Sequence, residues 1–139
     1  MKYYAVIDTN VVVSSMLKND SIPGSIVNLV EIDIIIPLIS EEILTEYSDV
    51  LTRNKFGFSS KMVNHLLDTF KAKGIYLNGE NVLENFIDKD DIVFFEIVMS
   101  ARKTMDAYLV TGNMKHYPVR SYIVTPTQMI EIISKDKVK

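Results

Sequence analysis

Four short motifs carrying carboxylates or amides lie far apart in this 139-residue chain. "IDTN" sets Asp8 directly after an apolar stretch, Glu46 falls within "SEEILTEYSDVLTR", "DKDD" puts Asp90 and Asp91 at the head of another apolar stretch, and "VTGN" ends on Asn113. Three carboxylates brought close together raise one another's pKa, and a divalent cation relieves that conflict. With no cysteine and only two histidines, at positions 65 and 116, the donors are oxygens, which points to Mg²⁺ or Mn²⁺ rather than zinc or copper. A hard cation in an acidic cleft suits phosphodiester hydrolysis, because it lowers the pKa of a bound water and offsets charge on phosphate oxygens. Each motif alone is short and common; their joint order is the specific part.

For these side chains to meet, the elements between them must converge. Apolar runs of strand length alternate with stretches of helical period, the pattern of a parallel sheet covered by helices on both faces. Strands are expected at about Tyr3–Ile7, Ile32–Ile36, Tyr108–Thr111 and Tyr122–Val124, and helices at about Val11–Leu17, Ser25–Val30, Glu41–Arg53, Lys61–Lys73, Asp91–Lys103 and Thr127–Ser134. The last helix has the clearest start, with Thr125, Pro126 and Gln128 as N-cap, first-turn proline and capping-box partner. "KGIYLNGEN" reads as a turn-rich connector with room for one short strand. The expected fold class is α/β, a three-layer α/β/α sandwich around a mainly parallel sheet of four to five strands. Open parallel sheets place ligands beyond the carboxyl ends of their strands, where Asp8 and Asn113 both fall.

Every acid also has a structural use. Asp8 could cap a helix, form a turn or bind a metal. Ser40 caps the "SEEIL" helix, and Glu41 and Glu42 sit in its first turn, where the dipole favours them. Glu46 lies just off the buried stripe of Ile43, Leu44, Tyr47, Val50 and Leu51, roughly 40° from Val50 at about 100° per residue. Asp90 and Asp91 open a helix that is apolar around most of its circumference, and a single cap would satisfy that end.

Bulk properties bound the alternatives. At 47% hydrophobic residues the chain fits one globular domain, 1–139. A net charge of −3 argues against coating nucleic acid by bulk attraction, though a metal-bridged nuclease remains compatible with it. No apolar run reaches the roughly 20 residues that a membrane crossing needs, and the start lacks a signal-peptide pattern, so the expected location is the cytoplasm. A phosphotransfer receiver domain also clusters aspartates on a parallel sheet, but its acid pair follows the first strand, whereas here "DD" opens a late helix.

"AVIDTNVVVSSM", "ISEEILTEYSDVL", "DKDDIVFFEIVMSA" and "DAYLVTGNMKHYP" together resemble the PIN-domain family, in particular the prokaryotic group described as toxin components of toxin–antitoxin systems. The resemblance covers most of the chain. It implies a metal-dependent endoribonuclease acting on single-stranded RNA, an acidic quartet, a homodimer, and an antitoxin protein from a neighbouring gene that blocks the site. Asp8 takes the first acidic position, Glu46 the second and Asp91 the third, with Asp90 close enough to keep beside it. Asn113 takes the fourth, where many members have aspartate, which bears on whether a second metal binds. Asn10 and Thr111 match polar positions that orient the acids, and Lys115 and His116 are candidate RNA contacts. Against the nuclease stands a different class, a catalytically weak PIN-like module that binds a partner protein or RNA. The remaining features have simpler readings: His65 as a surface residue, Arg102 and Lys103 as solvated helix-end charges, and "FGF" and Tyr76 as core aromatics before they are a stacking surface for bases.

Overall fold

"YYAVI" forms β1 (Tyr3–Ile7), buried along nearly its whole length as an interior parallel strand must be. The computed structural model describes residues 1–79 and 89–138. After β1 come α1 (Thr9–Leu17), α2 (Ile22–Glu31), β2 (Ile35–Ile39), α3 (Glu41–Leu51), α4 (Ser60–Lys73), β3 (Ile75–Tyr76), α5 (Lys89–Ala101), β4 (Ala107–Val110), β5 (Ile123–Val124) and α6 (Pro126–Val138). The five strands form one parallel sheet in the order β3-β2-β1-β4-β5. Helices cover both faces, giving the α/β/α sandwich expected from the sequence.

That order explains where a site can form. From β1 the chain steps outward through β2 to β3, then returns to the other side of β1 for β4 and β5. The connections leaving β1 and β4 therefore diverge, and a crevice opens between their carboxyl ends. Asp8 and Thr111 are the first residues past those two ends.

The second strand lies three residues later than the sequence suggested, at Ile35–Ile39 rather than Ile32–Ile36. Within a run of mostly apolar residues the register is set by the preceding turn. Ile32 closes α2, Asp33 adopts a left-handed conformation (φ 65°), and only then does the chain extend. Pro37 consequently sits inside a strand with neighbours on both sides, where the missing N–H is ordinarily costly. Here its carbonyl faces Gly74, just before β3 begins, so the edge without a donor meets a strand that has not yet started. The short strand in the "KGIYLNGEN" connector is β3; Glu80 and Asn81 of that stretch lie outside the described residues.

Caps follow the sequence closely. Ser21, Ser40 and Ser59 accept hydrogen bonds from the N–H groups of Gly24, Ile43 and Met62 at 3.1, 3.1 and 3.2 Å. Thr125 and Gln128 form the reciprocal capping box of α6, at 2.9 and 3.1 Å.

One buried tyrosine ties the layers to the site. Tyr47 on α3 is fully buried and donates its hydroxyl to the carbonyl of Ile7 at 2.6 Å, fixing α3 against the end of β1. Its ring meets Phe70 of α4 edge-on at 5.5 Å and Phe94 of α5 at 6.1 Å. Burial pushes the phenol well above its ordinary pKa, with the nearby Asp8 charge adding to the effect. Tyr47→Phe keeps the ring contacts but leaves the Ile7 carbonyl without that donor. We expect it to cost about 1–3 kcal/mol, read as a lower urea midpoint with an unchanged m-value.

Candidate active site

Asp8 stands at the N-cap position of α1, yet its side chain makes no capping hydrogen bond. The three capping serines show what that use looks like, and Asp8 does something else. Its Oδ2 accepts from Thr111 Oγ1 at 2.7 Å, Tyr117 OH at 3.0 Å and Asn10 Nδ2 at 3.2 Å. The residue is only 4% exposed. Burial raises its pKa, and the donors from Thr111, Tyr117, the Thr9 backbone and Asn10 partly oppose that rise. A desolvated carboxylate held by neutral donors has its geometry fixed while its charge stays without full compensation.

The supporting residues are themselves braced. Asn10 accepts from the Gly112 N–H at 2.9 Å, joining the start of α1 to the turn after β4. A side chain at Gly112 would press on that amide, since an added Cβ would lie 3.2 Å from Asn10 Oδ1. Thr111 is fully buried, and its Oγ1 accepts from the Asn113 N–H at 3.0 Å while donating to Asp8. Asn10 and Thr111 thus each donate directly to the Asp8 carboxylate.

Tyr117 is the residue that the sequence reading missed. Its hydroxyl donates to Asp8 and lies 3.5 Å from Asp91 Oδ1, so one phenol oxygen spans two carboxylates from different elements. Its pKa is driven far upward by burial first and then by the charges of Asp8 and Asp91, so it stays a neutral donor at any ordinary pH. Asp91 Oδ2 also contacts His116 Nδ1 at 3.2 Å. His116, a candidate RNA contact from the sequence, therefore also engages an acid.

Asp8, Glu46, Asp90 and Asp91 line one open cleft of about 370 Å³, together with Thr9, Asn10 and Phe94. Glu46 is half-buried on α3, Asp91 is half-buried in the first turn of α5, and Asp90 beside it is exposed. Thr9 Oγ1, on the same wall, is buried without a hydrogen-bond partner. Asn113 and Lys115 are exposed and are not among the residues lining the cleft. Among the described residues, no three His, Cys, Asp or Glu side chains gather closely enough to hold a metal ion by themselves. The arrangement is an oxygen-lined crevice with one rigid carboxylate at its base and others on its walls.

No curated protein matches the chain. Among the described residues no helix is long and apolar enough to cross a membrane. A family model described as PIN domain matches residues 4–115, which takes in all four acids and the Thr111–Asn113 turn. With this match over most of its length, the chain belongs to the PIN-domain family, whose fold is of nuclease type.

Proposed function

We propose that the chain is a Mg²⁺- or Mn²⁺-dependent endoribonuclease that cleaves single-stranded RNA. We further propose that it is the toxin of a cytoplasmic toxin–antitoxin pair, able to form a homodimer and restrained by an antitoxin protein from a neighbouring gene. The observation that carries the catalytic reading is the meeting of Asp8, Glu46, Asp90 and Asp91, from three separate elements, in one cleft at the switch point of the sheet. The toxin reading rests on the sequence resemblance.

The donor set fits a hard cation. It is all oxygen, it contains a buried carboxylate whose charge is under-compensated, and it is open enough for the waters that Mg²⁺ retains when only one or two carboxylates bind directly. Asp8, Glu46 and Asp91 would hold the ion, with Asp90 beside them. Once bound, a divalent cation activates a water and neutralises charge at the scissile phosphate. The chain's own part is positional. Thr111, Tyr117 and Asn10 hold Asp8 in one rotamer, Tyr117 and His116 do the same for Asp91, and Asn113 is proposed to orient water from the rim. Lys115 is the proposed contact to the RNA backbone, with His116 beside it.

The test is cleavage of an unstructured RNA by the purified chain. Mn²⁺ should raise its thermal midpoint and switch on internal cleavage that EDTA abolishes. If Mn²⁺ does neither, the reading fails. A second reading, a catalytically weak module that binds protein or RNA, draws on the spacing of the acids, none of which form a three-ligand cluster among the described residues, and on the amide at Asn113. Ion binding without cleavage would favour it. The toxin role predicts growth arrest on expression in a host cell, relieved by Asp8→Asn.

A further inference from the structure

The cleft does not end with its acids. Its lining continues along α3 from Glu46 to Val50 and then to Arg53 and Phe56. Glu46 and Val50, four residues apart, share one face of α3, and Arg53 lies two residues beyond the helix end at Leu51. Arg53 is the one cation among the described lining residues. Its backbone N–H bonds to Val50 at 3.2 Å, but its exposed guanidinium makes no hydrogen bond or ion pair among the described residues. An arginine on the wall of an acidic cleft that pairs with none of its acids keeps its fork of donors available to an incoming anion.

The chain then turns sharply. A single 3-10 turn, Asn54–Phe56, ends on Gly57, whose left-handed backbone (φ 66°) favours glycine. The reversal stacks Phe56 on Phe58, with centroids 5.5 Å apart and planes 10° from parallel. Phe58 packs against the core, and Phe56 lines the cleft. The expectation that both rings of "FGF" are core filler therefore holds for Phe58 only. Lys55 lies over the Phe56 ring, its Nζ 5.1 Å from the centroid. An exposed lysine on a ring is a weaker contact than a stacked base, so a base would displace it.

We propose that Arg53 and Phe56 form a nucleotide subsite beside the acids, the guanidinium taking a backbone phosphate next to the scissile one and the Phe56 ring stacking the base of that nucleotide. This deepens the nuclease reading and rests on it for the direction of the strand through the cleft. It also gives selection for single strands a physical cause, because a base is free to stack on a protein ring only when it is unstacked from its neighbours. A subsite of this kind reads shape and charge and tolerates any base.

The test uses the whole chain in EDTA, with a fluorescein-labelled single-stranded RNA hexamer and a twin carrying abasic central positions, read by fluorescence anisotropy. Arg53→Gln should weaken both ligands by about 5- to 20-fold and lower the salt slope by about one. Phe56→Ala should weaken the base-bearing strand by about 5- to 20-fold and leave the abasic strand unchanged. Phe56→Leu, which keeps apolar bulk against Phe58, should give the same selective loss and guards against a folding defect in the alanine variant. Lys18→Ala, at the far end of α1, serves as the charge control and should alter neither ligand. The proposal is overturned by a wild-type chain with no preference for the base-bearing strand, by equal losses for both strands at position 56, or by an Arg53→Gln effect no larger than that of Lys18→Ala. With Mn²⁺ present, Arg53→Gln should raise KM and spare kcat. A wild-type chain that fails to cleave while the EDTA pattern holds would sink the nuclease reading and leave the subsite standing.

Discussion

Asp8→Asn is expected to lower RNA cleavage by about 10²–10³-fold or more while making the metal-free protein more stable. The two effects share one cause. Burial raises the folded pKa of Asp8 above its ordinary value of 3.8. A carboxyl with a raised folded pKa favours the native state most when protonated, and that favour is lost as pH rises through the folded value. At neutral pH the ionised group therefore works against folding. Asparagine removes the charge, and its carbonyl can still accept from Thr111, Tyr117 and Asn10. The check is a set of thermal midpoints between about pH 4 and 8, with and without Mn²⁺. The wild-type chain should gain stability from Mn²⁺, the variant should start higher and gain little, and the difference between the two metal-free proteins should shrink toward the acid end. A variant that is both less stable at neutral pH and fully active would contradict this account.

Tyr117→Phe is expected to weaken Mn²⁺ binding or turnover by about 10- to 100-fold, the usual consequence of removing a residue that orients a metal ligand. The phenyl ring preserves the packing, so the circular dichroism spectrum should not change. What is lost is the single hydroxyl that donates to Asp8 at 3.0 Å and lies 3.5 Å from Asp91. Without it Asp8 keeps Thr111 and Asn10, Asp91 keeps His116, and the one hydroxyl seen to reach both carboxylates among the described residues is gone. Mn²⁺ titration of the variant, followed calorimetrically, separates weaker binding from slower turnover. An unchanged affinity together with an unchanged rate would show that Asp8 and Asp91 are positioned by their other partners alone.

Much of this could be read from residue order. Asp8 and Thr111 are legible because apolar strands end abruptly on polar groups, and Ser40 and Thr125 because caps are local chemistry. The register of β2 was not legible: a run of apolar residues has no internal marker, and the left-handed turn at Asp33 that fixes it carries only a weak local signature. Tyr117 escaped for a different reason. It sits 109 residues from Asp8 in sequence, and it reaches the site only because the chain makes a 3-10 turn at Met114–His116 and folds back. Its one early sign was a tyrosine directly after the histidine of "NMKHYP", which by itself is indistinguishable from a core aromatic. Phe56 and Phe58 show the same limit, since two similar residues around one glycine are divided between core and cleft by a turn that sequence spacing does not reveal.

The sheet is flanked by β3 and β5, each only two residues long. Outer strands so brief expose few unsatisfied backbone groups to a passing chain, which discourages the templated strand addition that seeds fibrils.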